Sequence, residues 1–153
     1  MPVSTSKPYR VGRSKTGLGL FATDTIKRGT HIINYTGKKL TNKAADELYT
    51  KYIFELNSRY SIDGSTRRNI ARYINHSCKP NSTIDIVRGE IRIKSIRRIE
   101  PGDEITYNYG PGYWDAFIGP QHCKCDACIV KRRRKRKAAQ RRKARKLNGA
   151  RAR

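Results

Sequence analysis

The pattern of apolar and polar positions along the chain predicts many short strands and one helix. Runs rich in β-branched and aromatic residues alternate with polar positions and are separated by turns that contain Gly, Pro, Asn and Ser. Only residues 41–51 repeat apolar side chains at helical spacing, and Thr41 is suited to cap the first helical turn. The predicted strands are residues 9–11, 19–22, 30–35, 52–56, 60–62, 83–87, 91–94 and 105–109.

Charge divides the chain into a body and a basic tail, residues 131–153. The chain of 153 residues has 35 Lys and Arg against 12 Asp and Glu, a formal net charge of +23. The basic tail holds 14 of these cations and no acid, so the body carries only +9. Because the tail has a single large apolar residue, Leu147, it cannot offset its ordering entropy by burial. We expect it to be disordered when free, and helical once its charges are neutralised.

No stretch of the sequence has the length and hydrophobicity of a signal-peptide core or a membrane span. The longest apolar run covers only residues 17–22. Four cysteines without an export signal favour reduced thiols or metal ligands over disulfides. A body of this length can bury a core without covalent cross-links. We therefore expect a soluble intracellular protein that has no membrane partner.

The cysteines have the spacing of metal ligands. Cys123, Cys125 and Cys128 form a C-x-C-x-x-C loop, which suits a tetrahedral zinc site that needs one more ligand. The spacing alone leaves two candidates for that ligand, Cys78 and a histidine, of which His122 is the nearest. The alternative is a cluster of inert thiols. A closed four-ligand site would be structural.

Four stretches of the sequence together resemble the SET domain of protein-lysine methyltransferases that use S-adenosyl-L-methionine. The stretches, in chain order, are 15–22 (Lys-Thr-Gly-Leu-Gly-Leu-Phe-Ala), 34–37 (Asn-Tyr-Thr-Gly), 72–81 (Arg-Tyr-Ile-Asn-His-Ser-Cys-Lys-Pro-Asn) and 102–110 (Gly-Asp-Glu-Ile-Thr-Tyr-Asn-Tyr-Gly). Their order and spacing match the family from about residue 8 to residue 129.

The resemblance implies a fold and a division of the chain. The implied fold is mainly β, with several small sheets, a pseudoknot-like threading of the C-terminal segment, few short helices and a disordered or helical basic tail. The implied parts are a SET domain at 8–116, a post-SET zinc loop at 117–130 and the basic tail. In the family the fourth zinc ligand is the cysteine of the Asn-His-Ser-Cys motif, which is Cys78 here.

The resemblance also implies where S-adenosyl-L-methionine binds. The backbone around Leu18 would contact the amino-acid part of the cofactor, Asn75 and His76 would contact the same molecule, and Trp114 would lie beside the adenine. The alternatives are a plain hairpin turn and a buried polar pair. The full set of expected cofactor-binding residues is Lys15, Gly17, Leu18, Gly19, Tyr35, Arg72, Asn75, His76, Tyr109 and Trp114.

Three tyrosines match the family's catalytic positions. Methyl transfer to lysine is an in-line displacement that needs a neutral amine and close positioning of the reactants, with no covalent intermediate. Tyr109 is expected to orient the lysine nitrogen, because a phenol with a pKa near 10 is a poor base at pH 7. Tyr35 would line the lysine channel. Tyr107 occupies the family position that governs how many methyl groups are added, and its hydroxyl indicates mainly monomethylation with some dimethylation. The alternative is that these are core aromatic residues.

The predicted function is methylation of lysine in a histone or a histone-like basic protein, and a ribosomal or nucleoid protein is another possible substrate. The alternative is a catalytically weak SET scaffold that binds nucleic acid or chromatin. Some positions depart from the family pattern, such as Lys38, where relatives usually carry an acid, and the short insert between residues 40 and 57. These departures leave the substrate preference open.

The basic tail has three interpretations. It can bind phosphates, act as a nuclear localisation signal, or remain a solvated tail whose lysines the enzyme itself methylates. Because the tail has no acid, we favour nonspecific nucleic-acid association, and because it has no aromatic residue we expect no base stacking. This interpretation predicts a nuclear, nucleoid or chromatin-associated location.

Overall fold

The computed structural model describes residues 7–151, and only the backbone of residues 149–151. This part of the chain contains ten strands: β1 Tyr9–Ser14, β2 Gly17–Ala22, β3 His31–Tyr35, β4 Lys38–Thr41, β5 Ile53–Glu55, β6 Tyr60–Asp63, β7 Asn75–His76, β8 Ser82–Val87, β9 Glu90–Ser95 and β10 Glu104–Tyr107. The helices are α1 Asn42–Asp46, a 3-10 helix Ile70–Tyr73, α2 Pro111–Tyr113, a π-helix Trp114–Ile118, α3 Gly119–His122 and α4 Asp126–Arg151.

The chain divides into two units. The first unit contains the described residues up to His76 together with Pro80–Asn108. All ten strands, β1 to β10, lie within these residues. The second unit contains Ser77–Lys79 and the chain from Tyr109 onward. The C-terminal helices and the four cysteines therefore belong to the second unit.

Three small sheets build the first unit. Their strand orders are β1-β2-β10-β7, β3-β9-β8 and β4-β6-β5. The strands predicted at 83–87 and 91–94 and at 52–56 and 60–62 pair as hairpins: β8 and β9 pair antiparallel around the turn at Arg88 and Gly89, and β5 pairs antiparallel with β6. In β9, Ile91, Ile93 and Ser95 are buried and the intervening side chains are more exposed, which is the predicted alternation. The mainly β fold with small sheets is confirmed.

Strand β10 occupies the centre of the first sheet. It pairs antiparallel with β2, where Ile105 lies opposite Leu20, and parallel with β7, where Thr106 lies opposite Asn75. The side-chain amide of Asn81 donates to the carbonyl oxygen of Glu104 at 2.8 Å and accepts from the Thr106 N–H at 2.9 Å. Buried polar groups need such partners, so Asn81 stabilises the backbone of β10 in its position.

The core of the first unit is aliphatic and comes from several elements. Burial of each of its branched side chains contributes about 1.5–3 kcal/mol relative to exposure. The buried aliphatic residues of this core include Leu20, Ile26, Ile32, Ile74, Ile91, Ile93, Ile99 and Ile105.

The predicted helix at 41–51 is shorter in the structure. Thr41 caps α1 as expected, since its Oγ1 accepts from the Ala44 N–H at 3.3 Å, but the helix ends at Asp46. Leu48 and Tyr49 are exposed, so the apolar spacing does not mark a buried helical face. Two strands were not predicted from the sequence: β4 begins with two lysines and β7 has only two residues. Neither shows an apolar alternation.

The basic tail is helical in the structure as far as it is described. Helix α4 has 26 residues, begins at Asp126 inside the predicted zinc loop and continues across residue 130 without a break. The tail was expected to be either disordered or helical, and the helical state agrees with the structure. Its Ala, Lys, Arg and Gln residues are good helix formers. Residues 152 and 153 of the tail lie outside the described residues. Between residues 7 and 151 no helix has the length and apolar character needed to cross a membrane.

Candidate active site and metal centre

The glycine-rich turn and the Asn-His motif meet in the first unit. Gly17 has a φ of 116°, a backbone conformation that glycine adopts more readily than other residues. The Asn75 side-chain amide donates to the Leu18 carbonyl oxygen at 2.9 Å and to Glu104 Oε1 at 2.7 Å. Three motifs that are far apart in sequence therefore converge on one amide group.

Glu104 is the residue at this site whose role was not predicted from the sequence. Its Oε2 accepts from the Ser14 hydroxyl at 2.9 Å, while its Oε1 accepts from Asn75. A Cβ at Gly19 would lie 2.5 Å from Glu104 Oε1, so a larger residue would force this carboxylate to shift away from its hydrogen-bond partners. Glu104 belongs to the Gly-Asp-Glu block that carries the family resemblance. The partners lie 29 and 90 positions away in sequence, so no local pattern could have revealed them.

His76 and Tyr107 are neighbours across the parallel β7–β10 pair. Burial lowers the pKa of His76, which favours the neutral imidazole at pH 7. The Tyr107 side chain is buried. The parallel pairing thus places the expected methylation-state residue beside one of the expected cofactor-binding residues.

Tyr35 and Arg72 both contact Tyr52. The Tyr35 hydroxyl donates to the Tyr52 carbonyl oxygen at 2.8 Å, and the Arg72 guanidinium carbon lies 4.1 Å from the centre of the Tyr52 ring. Arg72 Nε is buried without a hydrogen-bond partner in the described protein. Because the Tyr35 hydroxyl proton is already donated, that oxygen is available to a substrate only as an acceptor.

A buried amide organises the loops beside Tyr35. Asn69 is 1% exposed; its Oδ1 accepts from the Thr36 N–H at 3.2 Å and its Nδ2 donates to the Gly64 carbonyl oxygen at 3.1 Å. A Cβ at Gly64 would lie 2.3 Å from the Tyr35 ring, so this position also needs glycine. The role of Asn69 was not predicted from the sequence, because an isolated Asn in a polar stretch carries no distinguishing signal.

The remaining expected site residues are Lys15, Tyr109 and Trp114. Lys15 is exposed in the turn between β1 and β2. In the second unit, Tyr109 packs edge-to-face against Tyr113 with ring centroids 4.9 Å apart. Trp114 begins the π-helix, and its indole N–H is buried without a partner in the described protein. A ligand acceptor would satisfy such a donor.

All four cysteines come together in the second unit. Cys78, Cys123, Cys125 and Cys128 have sulfur atoms that all lie within 4.8 Å of one another. The Cys78 sulfur is 3.9 Å from that of Cys123 and 3.6 Å from that of Cys128. Zn–S bonds of about 2.3 Å in a tetrahedron place sulfurs about 3.8 Å apart, so this donor set fits zinc. Within the described chain His122 does not belong to the cluster.

The electrostatics of the cluster also suit a cation. Burial of the Cys125 sulfur opposes ionisation, but hydrogen bonds from the backbone N–H groups of Cys78 and Cys128 outweigh it and lower its pKa to about 7. Burial raises the pKa of Cys78 and Cys128, and the neighbouring thiols add to this for Cys78. The protein alone therefore disfavours four thiolates together, whereas a divalent cation would stabilise all of them.

Helix α4 is tied to the cysteine loop at its start. Cys128 lies in its first turn, and the Ile129 N–H donates to the Cys125 carbonyl oxygen at 3.0 Å. The Arg132 guanidinium donates to the carbonyl oxygens of Cys123 at 2.6 Å and Pro120 at 3.3 Å. The first two turns of the helix are thus part of the cysteine centre.

Comparisons with known proteins identify the family. The SET domain model matches residues 17–110, so the chain belongs to the SET domain family. It is 36% identical to human histone-lysine N-methyltransferase 2D over 126 residues, which is 72% of this chain and 2% of that protein. It is 37% identical to Drosophila melanogaster histone-lysine N-methyltransferase Set2 over 134 residues, which is 78% of this chain and 6% of that protein.

A solved structure shares the fold. It is described as "Structure of ctPRC2 in complex with H3K27me3 and H3K27M", and the match has a TM-score of 0.64 and 27% identity. The match covers 70% of this chain and 15% of that one. The chain therefore spans only a small part of these relatives.

We predict that the hydrogen bonds of Glu104, and not its charge, hold Asn75. Glu104→Ala should lower the free energy of unfolding by about 1–3 kcal/mol, because the half-buried Asn75 amide and the Ser14 hydroxyl both lose their charged acceptor. Glu104→Gln keeps an acceptor for Asn75 and should lose much less. Urea denaturation measures both variants. Equal losses in the two variants would show that the carboxylate charge is what matters.

Proposed function

We propose that the chain is a protein-lysine N-methyltransferase that uses S-adenosyl-L-methionine and acts on a histone or histone-like basic protein. The observation that carries the proposal is the convergence of the Gly17–Gly19 turn and Glu104 on the side-chain amide of Asn75. The SET domain family supports it, and so do the two relatives described above, which are histone-lysine N-methyltransferases.

The first unit would supply most of the cofactor-binding residues. S-adenosyl-L-methionine supplies a methyl group from its sulfonium. The backbone around Leu18 can approach a ligand closely, because Gly17 and Gly19 have no side chains to exclude it. Asn75 is already oriented by Glu104, and the neutral His76 can both donate and accept a hydrogen bond. Lys15 and Arg72 would add positive charge for the carboxylate of the ligand. We assign the adenine side to Trp114.

Tyr109 and Tyr35 would position the substrate lysine. We assign to the Tyr109 hydroxyl the orientation of the amine nitrogen for in-line attack. Tyr35 would serve as an acceptor for the amine N–H, because its own proton is bound to the Tyr52 carbonyl oxygen. A low-dielectric site and a nearby sulfonium charge both favour the neutral amine that the reaction needs.

Tyr107 would limit the number of methyl groups. A hydroxyl at this position can hold a water molecule in the space that a further methyl group would occupy. We propose that the product is mainly monomethyl-lysine, with some dimethyl-lysine. The burial of Tyr107 next to His76 supports a role at the reaction centre.

The cysteine cluster would hold a structural zinc ion with Cys78, Cys123, Cys125 and Cys128 as ligands. Four thiolates leave no open position for chemistry at the metal. The predicted division of the chain at residues 116 and 130 then separates the catalytic part, the zinc loop and the basic tail.

The basic tail would associate with nucleic acid through phosphates, without sequence preference. Its 14 cations without an acid support this role. The proposed location is nuclear, nucleoid or chromatin-associated, where a basic tail keeps the enzyme near nucleic-acid-bound proteins.

Tyr109→Phe tests the activity. Transfer of labelled methyl groups to histones should fall by roughly 10²–10³-fold, because one oriented polar group is lost at the reacting centre. Tyr49→Phe is the control, since Tyr49 is fully exposed and should leave the rate unchanged. Equal rates in wild type and Tyr109→Phe would contradict the role of Tyr109. No transfer by the wild type to any histone or lysate protein would favour a non-catalytic binding module.

Tyr107→Phe tests the product. We expect a higher methylation state, because removal of the hydroxyl frees the space held by water. Mass spectrometry of a methylated peptide measures the ratio of mono-, di- and trimethyl-lysine in wild type and variant. Abundant trimethyl-lysine from the wild-type protein would contradict the assignment.

Metal analysis tests the zinc site. We expect one zinc ion per chain, lost in Cys78→Ser and retained in His122→Ala. Chelation should also lower the helical circular dichroism signal, because the first turn of α4 contains Cys128. Retention of zinc by Cys78→Ser and its loss in His122→Ala would identify the histidine as the fourth ligand.

A further inference from the structure

Helix α4 orders the cations of the basic tail on one face. At 3.6 residues per turn, seven cations share one side of the helix over residues 131–146, interrupted only by Ala138. We call this face the basic stripe; its cations are Lys131, Arg134, Lys135, Arg141, Arg142, Arg145 and Lys146.

The opposite face changes character along the helix. In the first half, cations lie all around the axis, at Arg133, Arg136 and Lys137 as well as on the basic stripe. In the second half, the opposite face carries mainly Gln140, Ala144 and Leu147. Every residue from 133 to 148 is exposed, so the charges are available to a partner.

The charge and length of the basic stripe fit a regular polyanion. Residues 131–146 span about 23 Å along the helix axis at about 1.5 Å per residue. Duplex DNA carries about one negative charge per 1.7 Å of its axis, and its major groove, about 12 Å wide, admits an α-helix. The major groove of A-form RNA is too narrow for side chains to read, and a single strand offers no groove.

We propose that α4 docks as a continuous helix in the major groove of duplex DNA, with the basic stripe neutralising phosphates. This inference deepens the proposed nucleic-acid association by adding the partner's form and the binding face. Neutralisation also removes the repulsion between like charges four residues apart, which otherwise opposes the helix.

The cysteine centre gives the helix a defined start. Helix nucleation is the unfavourable step, because the first turn orders several residues for one hydrogen bond. In α4 this turn already carries Cys128, and Arg132 is bound to the carbonyl oxygens of Cys123 and Pro120. In the proposed complex, the helical conformation of α4 therefore extends from a first turn that is already ordered.

Two charge-matched variants of the full zinc-loaded chain test the binding face. The stripe variant changes Arg134, Lys135, Arg141 and Arg142 to Gln, and the control changes Arg133, Arg136, Lys137 and Lys143 to Gln. Each variant removes four positive charges, and the two sets of positions lie on opposite sides of the helix. Fluorescence anisotropy with short DNA duplexes of two unrelated sequences measures affinity across a salt series, and a duplex RNA and a single-stranded DNA serve as competitors.

We expect the stripe variant to lose at least about tenfold more affinity than the control and to reduce the salt slope by about 3–4. Both DNA sequences should bind equally, and DNA should bind more tightly than duplex RNA or a single strand. Equal losses in the two variants would overturn the docking face and leave only a salt-dependent association. Loss of all nucleic-acid binding by the wild type would overturn both that association and the inference, while methyl transfer would remain unaffected.

Ala139→Pro tests the continuity of the helix without a change in charge, and Ala139→Gln is its control. We expect proline to weaken duplex binding, because it breaks the helix between the two halves of the basic stripe. An unchanged affinity would show that the tail binds as an extended chain. Equal affinity for polyglutamate and for duplex DNA would overturn DNA as the partner.

Discussion

The position of strand β10 between β2 and β7 is the constraint on which the first unit depends. The antiparallel pairing to β2 and the parallel pairing to β7 bring Glu104 beside Asn75 and Tyr107 beside His76. Asn81 holds the β10 backbone through two hydrogen bonds. A shift of β10 by one residue would turn its side chains to the other face of the sheet, so the register itself defines the candidate site.

The second unit depends on a different interaction. Four sulfur atoms lie close together although burial raises the pKa of two of the thiols, so a cation at their centre would stabilise this arrangement. One cysteine of this cluster, Cys128, lies in the first turn of α4. The helix itself has almost no apolar side chains to bury. Because helices with such composition are stabilised by context, the anchored first turn and a polyanionic partner are the two natural sources of order.

Much of this fold could be predicted from local patterns. The alternation in β8 and β9, the Thr41 cap and the C-x-C-x-x-C loop each involve neighbouring residues, so the signal is present in a short window. Strands β4 and β7 and the early end of α1 could not be predicted, because they depend on partner strands and on burial. The carboxylate of Glu104 and the amide of Asn69 act on distant groups, and a single sequence does not reveal such pairs.

The sequence by itself determined the family, the candidate catalytic tyrosines, the metal-ligand type and the concentration of charge in the tail, since all of these rest on residue identity and spacing. The tertiary structure brings Cys78 to the loop cysteines, as the family resemblance implied, and it alone decided that Gly19 leaves room for Glu104 and that the Tyr35 hydroxyl is already bound to Tyr52. The physical reason is that hydrogen bonds and metal sites need atoms within a few ångströms, and chain folding alone sets which distant residues satisfy that distance.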